Sequence, residues 1–266
     1  MTDDTDCRLT DLSELENRYL TRKIGRRTFT MLAAAMGITG PNLSALADQP
    51  DKGRSNQDAQ RTGQAMTGFK LSGVTLEQVM YKGREAYKVT MPSSSYQDPA
   101  RDTLSDRDLM AWKAIDFANG TIEVDVASTL APDAPAFARG FIGIAFRIDG
   151  GKSFESVYLR PTNSRVDDQV RRNHSIQYWA YPDHDFARLR REQPEKYESY
   201  VDLAMDEWIK VKIVVNGTQA KIYINGASQP SLVVSDLKLG PAQRGGIGYW
   251  LETGTVGYFS ELKVSA

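Results

Sequence analysis

Residues 208–226 read WIKVKIVVNGTQAKIYING, and this stretch decides the fold class. Apolar and polar residues alternate along Trp208–Val215 and again along Ala220–Ile224. A period of two residues is typical of a β-strand that buries one face. The first segment ends at Asn216-Gly217, and Asn-Gly tolerates the positive φ angles of tight hairpin turns. The stretch therefore predicts a β-hairpin in an antiparallel sheet.

The same period recurs on both sides of this hairpin. The other predicted strands are Val74–Met80, Glu85–Met91, Thr121–Val126, Gly140–Ile148, Ser153–Leu159, Ser175–Ala180, Ser231–Val234, Gly246–Leu251 and Val256–Val264. Only Leu104–Trp112 and Phe186–Tyr197 suggest short helices. Many strands at short spacing favour a sandwich over a βαβ fold. We predict an all-β protein, an antiparallel β-sandwich with at most one or two short helices, formed by residues 69–266 as one domain.

The charge balance and the cysteine count exclude several functions. The chain has 33 basic and 34 acidic residues, a net charge of −1, whereas a general nucleic-acid binder is usually basic. Cys7 is the single cysteine and cannot form an internal disulfide. We expect no nucleic-acid partner, no cofactor and no metal site; a site at Asp183-His184-Asp185 is disfavoured because such close ligands rarely all point inward.

The N-terminal residues resemble a twin-arginine (Tat) signal segment. Arg26-Arg27 precedes Phe29 and a weakly apolar run at Met31–Ile38, and the small-residue pattern Ala45-Leu46-Ala47 suits a signal peptidase. The run is too short to span a bilayer, so no stable membrane insertion is expected. We predict a signal segment at residues 1–47, a flexible spacer at residues 48–68, and export by the Tat machinery to a periplasmic or secreted location. The alternative is a buried amphipathic helix followed by a loop.

The C-terminal third carries a resemblance to a known superfamily. DEWIKVKIVVNG at residues 206–217 and AKIYING at residues 220–226 resemble the paired strands of concanavalin A-like jelly rolls, as do GGIGYWL at residues 245–251 and the strand Val256–Val264. Within that superfamily the chain is most similar to laminin-G-like modules and to the 3-keto-disaccharide hydrolase family. The resemblance implies a jelly roll and a carbohydrate-active protein. It transfers no catalytic residue, because the family's catalytic signature is not recognised here.

A polar block at residues 158–181, YLRPTNSRVDDQVRRNHSIQYWAY, suits a carbohydrate or carboxylate site. Aromatic rings offer apolar faces to sugar C–H groups, and arginine binds carboxylates with two parallel hydrogen bonds. The candidate catalytic residues are His174, Tyr158 and Arg160. The candidate substrate-binding residues are Arg147, Asn163, Arg171, Asn173, Gln177, Tyr178 and Trp179. The alternative is a salt-bridged network of the arginines with Asp167 and Asp168 that only fixes a loop.

Strand parity sharpens this prediction. Tyr158 and Arg160 share one face of their strand, and Gln177 and Trp179 share one face of the next, whereas Tyr178 points the opposite way unless a bulge re-aims it. We expect Arg147, Tyr158, Arg160, His174, Gln177 and Trp179 to converge on one concave surface.

Three functions remain open from the sequence. The first is an exported enzyme that binds a carbohydrate ligand, either a hydrolase of the 3-keto-disaccharide type or a polysaccharide lyase. The second is a non-catalytic carbohydrate-binding module that uses the same groove. The third is a structural or partner-binding periplasmic domain.

Overall fold

The computed structural model describes residues 68–265, so the predicted signal segment and nearly all of the predicted spacer lie outside the described residues. The strands, in chain order, are β1 (Phe69–Ser72), β2 (Thr75–Tyr81), β3 (Arg84–Thr90), β4 (Met110–Phe117), β5 (Gly120–Leu130), β6 (Ile142–Asp149), β7 (Ser153–Leu159), β8 (Ile176–Tyr181), β9 (Glu198–Ser199), β10 (Ile209–Asn216), β11 (Gln219–Ile224), β12 (Leu232–Val234), β13 (Gly245–Leu251) and β14 (Thr255–Ser265). The helices are α1 (Pro161–Ser164), α2 (Gln169–Asn173) and α3 (Phe186–Glu192), with a 3-10 turn at Ser93–Ser95.

The strands form two 7-stranded antiparallel sheets. The front sheet has the order β1-β4-β13-β6-β7-β8-β9, and the back sheet has the order β12-β11-β10-β5-β14-β3-β2. This confirms the predicted all-β class and the antiparallel sandwich. The described part of the chain contains three short α-helices, one more than predicted, and none of its helices is long and apolar enough to cross a membrane.

The predicted hairpin is formed by β10 and β11, in which Val215 pairs with Ala220 and Ile213 pairs with Ile222. The inward residues of the back sheet meet those of the front sheet in one apolar core. At its centre the rings of Tyr249 on β13 and Phe259 on β14 stack with centroids 4.4 Å apart. The alternation read from the sequence therefore places the core correctly.

The helix expected at Leu104–Trp112 is not formed. Residues 104–109 have no regular structure, and Met110 begins β4, which pairs with β1 on one side and β13 on the other. Hydrogen bonds to two distant strands outweigh a weak local helix preference. The other predicted helix is present as α3, which begins at Phe186 but ends at Glu192.

The outer face of the front sheet, which points away from the back sheet, positions the site. Directly opposed residues of antiparallel strands share a face, so Tyr158, Gln177 and Trp250 lie on this face together through the pairs Tyr158–Gln177, Gly143–Tyr158 and Gly143–Trp250. These side chains are buried because the segment before β4 crosses over them, and the indole Nε1 of Trp250 donates to the carbonyl of Arg107 at 2.6 Å.

Candidate functional site

A cavity of about 270 Å³ lies between this outer face and the segments that cover it. Its floor includes Tyr158 and Arg160 at the end of β7. Its walls come from the segments before β4, before β6, between β7 and β9, and directly after β13. Its lining residues are Gln97, Leu104, Ser105, Asp106, Phe137, Arg139, Phe141, Tyr158, Arg160, Asn163, Arg171, His174, Phe186, Arg190, Glu252 and Thr253.

Arg160 is hydrogen-bonded to the other residues at the floor of the cavity. Its Nη1 donates to the carbonyl of His174 at 3.0 Å, and its Nη2 donates to the hydroxyl of Tyr158 and to Oε1 of Gln177. The guanidinium also lies over the Tyr158 ring, 4.6 Å from its centroid. Arg160 is buried, so this side chain stabilises the fold as well as facing the cavity.

Two further guanidinium groups in the cavity have no acidic partner among residues 68–265. Nη1 of Arg139 donates to the carbonyls of Ala136 and Ala138, both at 2.9 Å, and Arg171 reaches only the amide oxygen of Asn163 at 3.4 Å. Nε of Arg171 is buried without a hydrogen-bond partner among the described residues. Burial and the charges of Arg171 and Arg160 lower the pKa of Arg139. The cavity thus holds two guanidinium groups that form no ion pair with a described residue.

Asp106 is the buried acid of the cavity. One carboxylate oxygen accepts a 2.8 Å hydrogen bond from the backbone N–H of Phe186. Burial raises the pKa of Asp106 to about 7, an effect that the nearby charge of Arg160 opposes and that of Glu252 reinforces. With a pKa near 7, the carboxyl group of Asp106 changes its protonation state around neutral pH, whereas a solvent-exposed aspartate is fully ionised there.

His174 is oriented by a carboxylate behind it. Its Nε2 lies 3.1 Å from Oε2 of Glu198, and Nη2 of Arg190 donates to the same Oε2 at 2.9 Å. Burial lowers the pKa of His174, the charges of Arg190 and Arg160 act in the same direction, and Glu198 opposes them. A neutral His174 that donates from Nε2 to Glu198 keeps a lone pair on Nδ1.

The structure brings five of the sequence-predicted site residues to this cavity, namely Tyr158, Arg160, Asn163, Arg171 and His174. Gln177 and Trp179 share the face of Tyr158, as parity predicts, but both are buried beneath the cavity rather than lining it. Gln177 holds Arg160, and Trp179 packs against Trp250 with ring centroids 5.5 Å apart. The alternative considered from the sequence, a salt-bridged network with Asp167 and Asp168, is not formed in the described part of the chain. Arg160 and Arg171 make no salt bridge there, and Asp168 caps α2 instead.

Arg147 does not join the site, contrary to the expected convergence. It lies in a bulge of β6, between the pairs formed by Phe146 and Asp149, and has a left-handed φ of 55°. A bulge re-aims the side chain relative to simple alternation. The buried guanidinium instead donates to the carbonyls of Ala118 at 2.7 Å and Gly217 at 2.8 Å, which are turn residues outside the cavity.

Tyr178 and Asn173 also lie outside the cavity. Tyr178 faces the opposite side of β8, where its hydroxyl donates to the buried carboxylate of Glu155 and accepts from the backbone N–H of Lys238 at 2.7 Å. Asn173 is exposed, and its side chain accepts a hydrogen bond from Gln169 at 2.7 Å.

Sequence reasoning missed Asp106, Arg139 and the aromatic rings of Phe137, Phe141 and Phe186. Four of them precede the polar block by about 20–50 residues and Phe186 follows it by five, so none belongs to the motif that suggested a site. Among residues 68–265, no group of three His, Cys, Asp or Glu side chains is arranged to hold a metal ion.

Fold and cavity together define a β-sandwich with an arginine-lined site on the outer face of one sheet. No protein-family model and no curated protein sequence matches this chain. Among solved structures, it is similar to the carbohydrate-binding module CBM66 from Bacillus subtilis, with 13% identity, a TM-score of 0.48, and coverage of 76% of this chain and 97% of that one. A Bacillus subtilis protein of unknown function with a galectin-like fold gives 11% identity, a TM-score of 0.45, and coverage of 79% and 91%. The galectin LEC-6 from Caenorhabditis elegans gives 11% identity, a TM-score of 0.37, and coverage of 64% and 100%.

Proposed function

We propose that the cavity binds an acidic carbohydrate and that the arginines hold its carboxylate. The observation that supports this most is the convergence of Arg139, Arg160 and Arg171 on one cavity, where none of the three forms a salt bridge within the described part of the chain. Of the two carboxyl groups that share the lining, Glu252 is paired with Arg107, and burial raises the pKa of Asp106 to about 7. Gathering three positive charges costs free energy in the empty protein. An anionic ligand offsets that cost, and arginine suits a planar carboxylate better than lysine does.

The remaining lining suits a sugar ring. Phe137, Phe141 and Phe186 present apolar surface to the cavity, and Asn163 offers a side-chain amide. Aromatic faces pack against sugar C–H groups, while a few fixed polar groups select hydroxyls. A volume of about 270 Å³ fits one sugar residue or the end of a chain rather than a long segment.

The test is the binding of oligouronates to the wild-type protein and to Arg171→Ala, measured by calorimetry, with neutral oligosaccharides of the same length as the ligand control. Loss of a charge-assisted hydrogen bond should weaken binding by about 10- to 100-fold. Arg172→Ala is the matched control, because Arg172 lies beside Arg171 but contacts the ring of Tyr200 outside the cavity. Equal affinity for neutral and acidic oligosaccharides would contradict the proposal.

Hydrolysis of the 3-keto-disaccharide type remains a proposal that rests on the sequence resemblance alone. Tat export to the periplasm or the exterior is likewise a proposal, which Arg26-Arg27, Phe29 and the Ala45-Leu46-Ala47 pattern support. Substitution of both arginines by lysine should abolish export. Continued export of that double variant would contradict the Tat route.

A further inference from the structure

We infer that Asp106 and His174 form a proton-transfer pair that cleaves an O4-linked uronate in this cavity by β-elimination. The inference rests on the proposed binding of an acidic carbohydrate and adds a reaction to it. Both side chains line the cavity that holds the unpaired arginines, and they come from segments of the chain that only the tertiary structure brings together.

Arg160 lies close to both His174 and Asp106. It donates to the backbone carbonyl of His174 at 3.0 Å, and its charge acts on the carboxyl group of Asp106 as well as on the imidazole of His174. A uronate carboxylate held by Arg139 and Arg171 would therefore have an acid and a base within the same small cavity. Neutralising that carboxylate is what makes the adjacent C5 proton acidic enough to remove.

His174 has the arrangement of a general base. Glu198 receives the Nε2 hydrogen and so fixes the ring and its tautomer, and Glu198 is itself held by Arg190. This leaves the Nδ1 lone pair without a hydrogen-bond partner in the described part of the chain, available for a substrate proton. Glu198 acts through His174 and is a positioning residue.

Asp106 has the arrangement of a general acid. It is buried against the N–H of Phe186, and the charged groups that face it are Arg160 and Glu252, with the hydroxyl of Tyr158 beside them. The carboxylate of Glu252 is already engaged by Arg107 and by the backbone N–H of Thr253, so Asp106 is the cavity carboxyl that can give up a proton. Tyr158 is less suited, because burial raises its pKa well above that of a free phenol and its hydroxyl already serves Arg160.

The proposed step conserves atoms and electrons without water or a cofactor. Nδ1 of His174 takes the C5 proton, the C5–H electron pair becomes the C4=C5 double bond, and the C4–O4 bond breaks. The departing O4 takes the proton of Asp106, which leaves a carboxylate and an imidazolium. Transfer of the proton from His174 to Asp106 through solvent restores the starting state.

Protonation states predict a bell-shaped pH profile. The base must be neutral, which holds above the pKa of His174, and the acid must be protonated, which holds below the pKa of Asp106 near 7. The groups that face His174 are Glu198, Arg190 and Arg160, with Asp168 further along the chain. Turnover should rise through the first pKa, fall through the second, and peak in weakly acidic solution.

The experiment incubates the full-length protein with 4-linked oligouronates. It records the ultraviolet absorbance of the conjugated C4=C5 product, the formation of reducing ends, and oligouronate affinity by calorimetry. Asp106→Asn keeps the acceptor for the Phe186 N–H, and His174→Gln removes the base. Each should lower kcat by about 10²- to 10⁴-fold with affinity changed less than about 3-fold. Glu198→Gln should shift the acidic limb of the pH profile, which a purely structural residue would not do.

Three results separate the inference from the proposed function. Oligouronate binding without any unsaturated product overturns the proton-transfer pair and leaves the binding function intact. New reducing ends without ultraviolet absorbance also overturn elimination, in favour of hydrolysis. Failure of every oligouronate to bind overturns both.

Discussion

The guanidinium of Arg160 and the backbone carbonyl of His174 are joined by a 3.0 Å hydrogen bond, which ties the end of β7 to the residues just before β8. Through this bond one buried side chain sets both the floor of the cavity and the position of His174. Function and stability are therefore coupled at Arg160. Arg171 faces the same cavity, but its side chain makes only one hydrogen bond, at 3.4 Å, with the rest of the described protein.

Arg160→Ala should destabilise the protein as well as weaken ligand binding. The substitution removes the shorter hydrogen bonds to Oε1 of Gln177 and to the carbonyl of His174. Each acceptor then keeps a single donor at 3.4 Å, the Tyr158 hydroxyl and Nδ2 of Asn163 respectively, and poorly satisfied buried groups cost about 1–3 kcal/mol each. We expect the free energy of unfolding to fall by about 2–5 kcal/mol in denaturant titrations. A variant of wild-type stability would show that the Arg160 network contributes little to folding.

Arg147→Ala should destabilise the protein without affecting ligand binding. Its guanidinium satisfies the carbonyls of Ala118 and Gly217 at a site apart from the cavity, and at about 1–3 kcal/mol for each unsatisfied buried group its loss should cost about 2–5 kcal/mol. Thermal melting and oligouronate calorimetry on the same preparation would measure the two effects. A specific loss of affinity in the folded variant would instead return Arg147 to the site.

Gly143→Ala should damage the cavity floor from below. A methyl group at Gly143 would meet the carbonyl oxygen of Val157 at 2.4 Å and Cβ of Tyr158 at 2.5 Å, contacts that backbone atoms cannot relieve cheaply. Overpacking of this kind costs about 1–3 kcal/mol, and more where the backbone must move. We expect a lower melting temperature together with weaker ligand binding. Gly83→Ala would not separate overpacking from backbone strain. A methyl group at Gly83 meets no atom within 4 Å, but the φ of 77° is itself unfavourable to alanine.

Asp106→Asn should remove a pH dependence of stability. The pKa of Asp106 rises from 3.8 to about 7 on folding, so the folded state binds more protons than the unfolded state between these values. This contribution to stability is complete below pH 4 and is lost as the pH rises through 7. At roughly 1.4 kcal/mol per pKa unit, the difference in unfolding free energy between wild type and variant should change by about 4 kcal/mol at most.

Denaturant titrations of both proteins from pH 4 to pH 8 would measure this difference. His174→Gln provides a contrast of opposite sign, because a histidine whose pKa falls on folding contributes stability that is lost as the pH decreases. Parallel pH curves for wild type and Asp106→Asn would show that Asp106 ionises normally in the folded protein.

The sequence by itself determined the sandwich and the apolar faces of most strands. The β10–β11 hairpin is determined by local sequence, because the alternation of its strands and its Asn-Gly turn involve residues that are close along the chain. Parity along β7 and β8 likewise places Tyr158 and Gln177 on one face. Alternation did not reveal β4, whose strand character comes from pairing with β1 and β13.

Only the tertiary structure decided the site. Arg147 was expected in the site but lies outside it, because a bulge breaks the alternation of β6. Bulges depend on the register of neighbouring strands, which the sequence of one strand does not specify. Asp106 belongs to the site although the sequence did not indicate it. The segment before β4 crosses the outer face of the front sheet and buries the carboxyl group of Asp106 beside Arg160. Burial and electrostatic environment are sums over atoms that are distant in sequence, so no local pattern of residues encodes them.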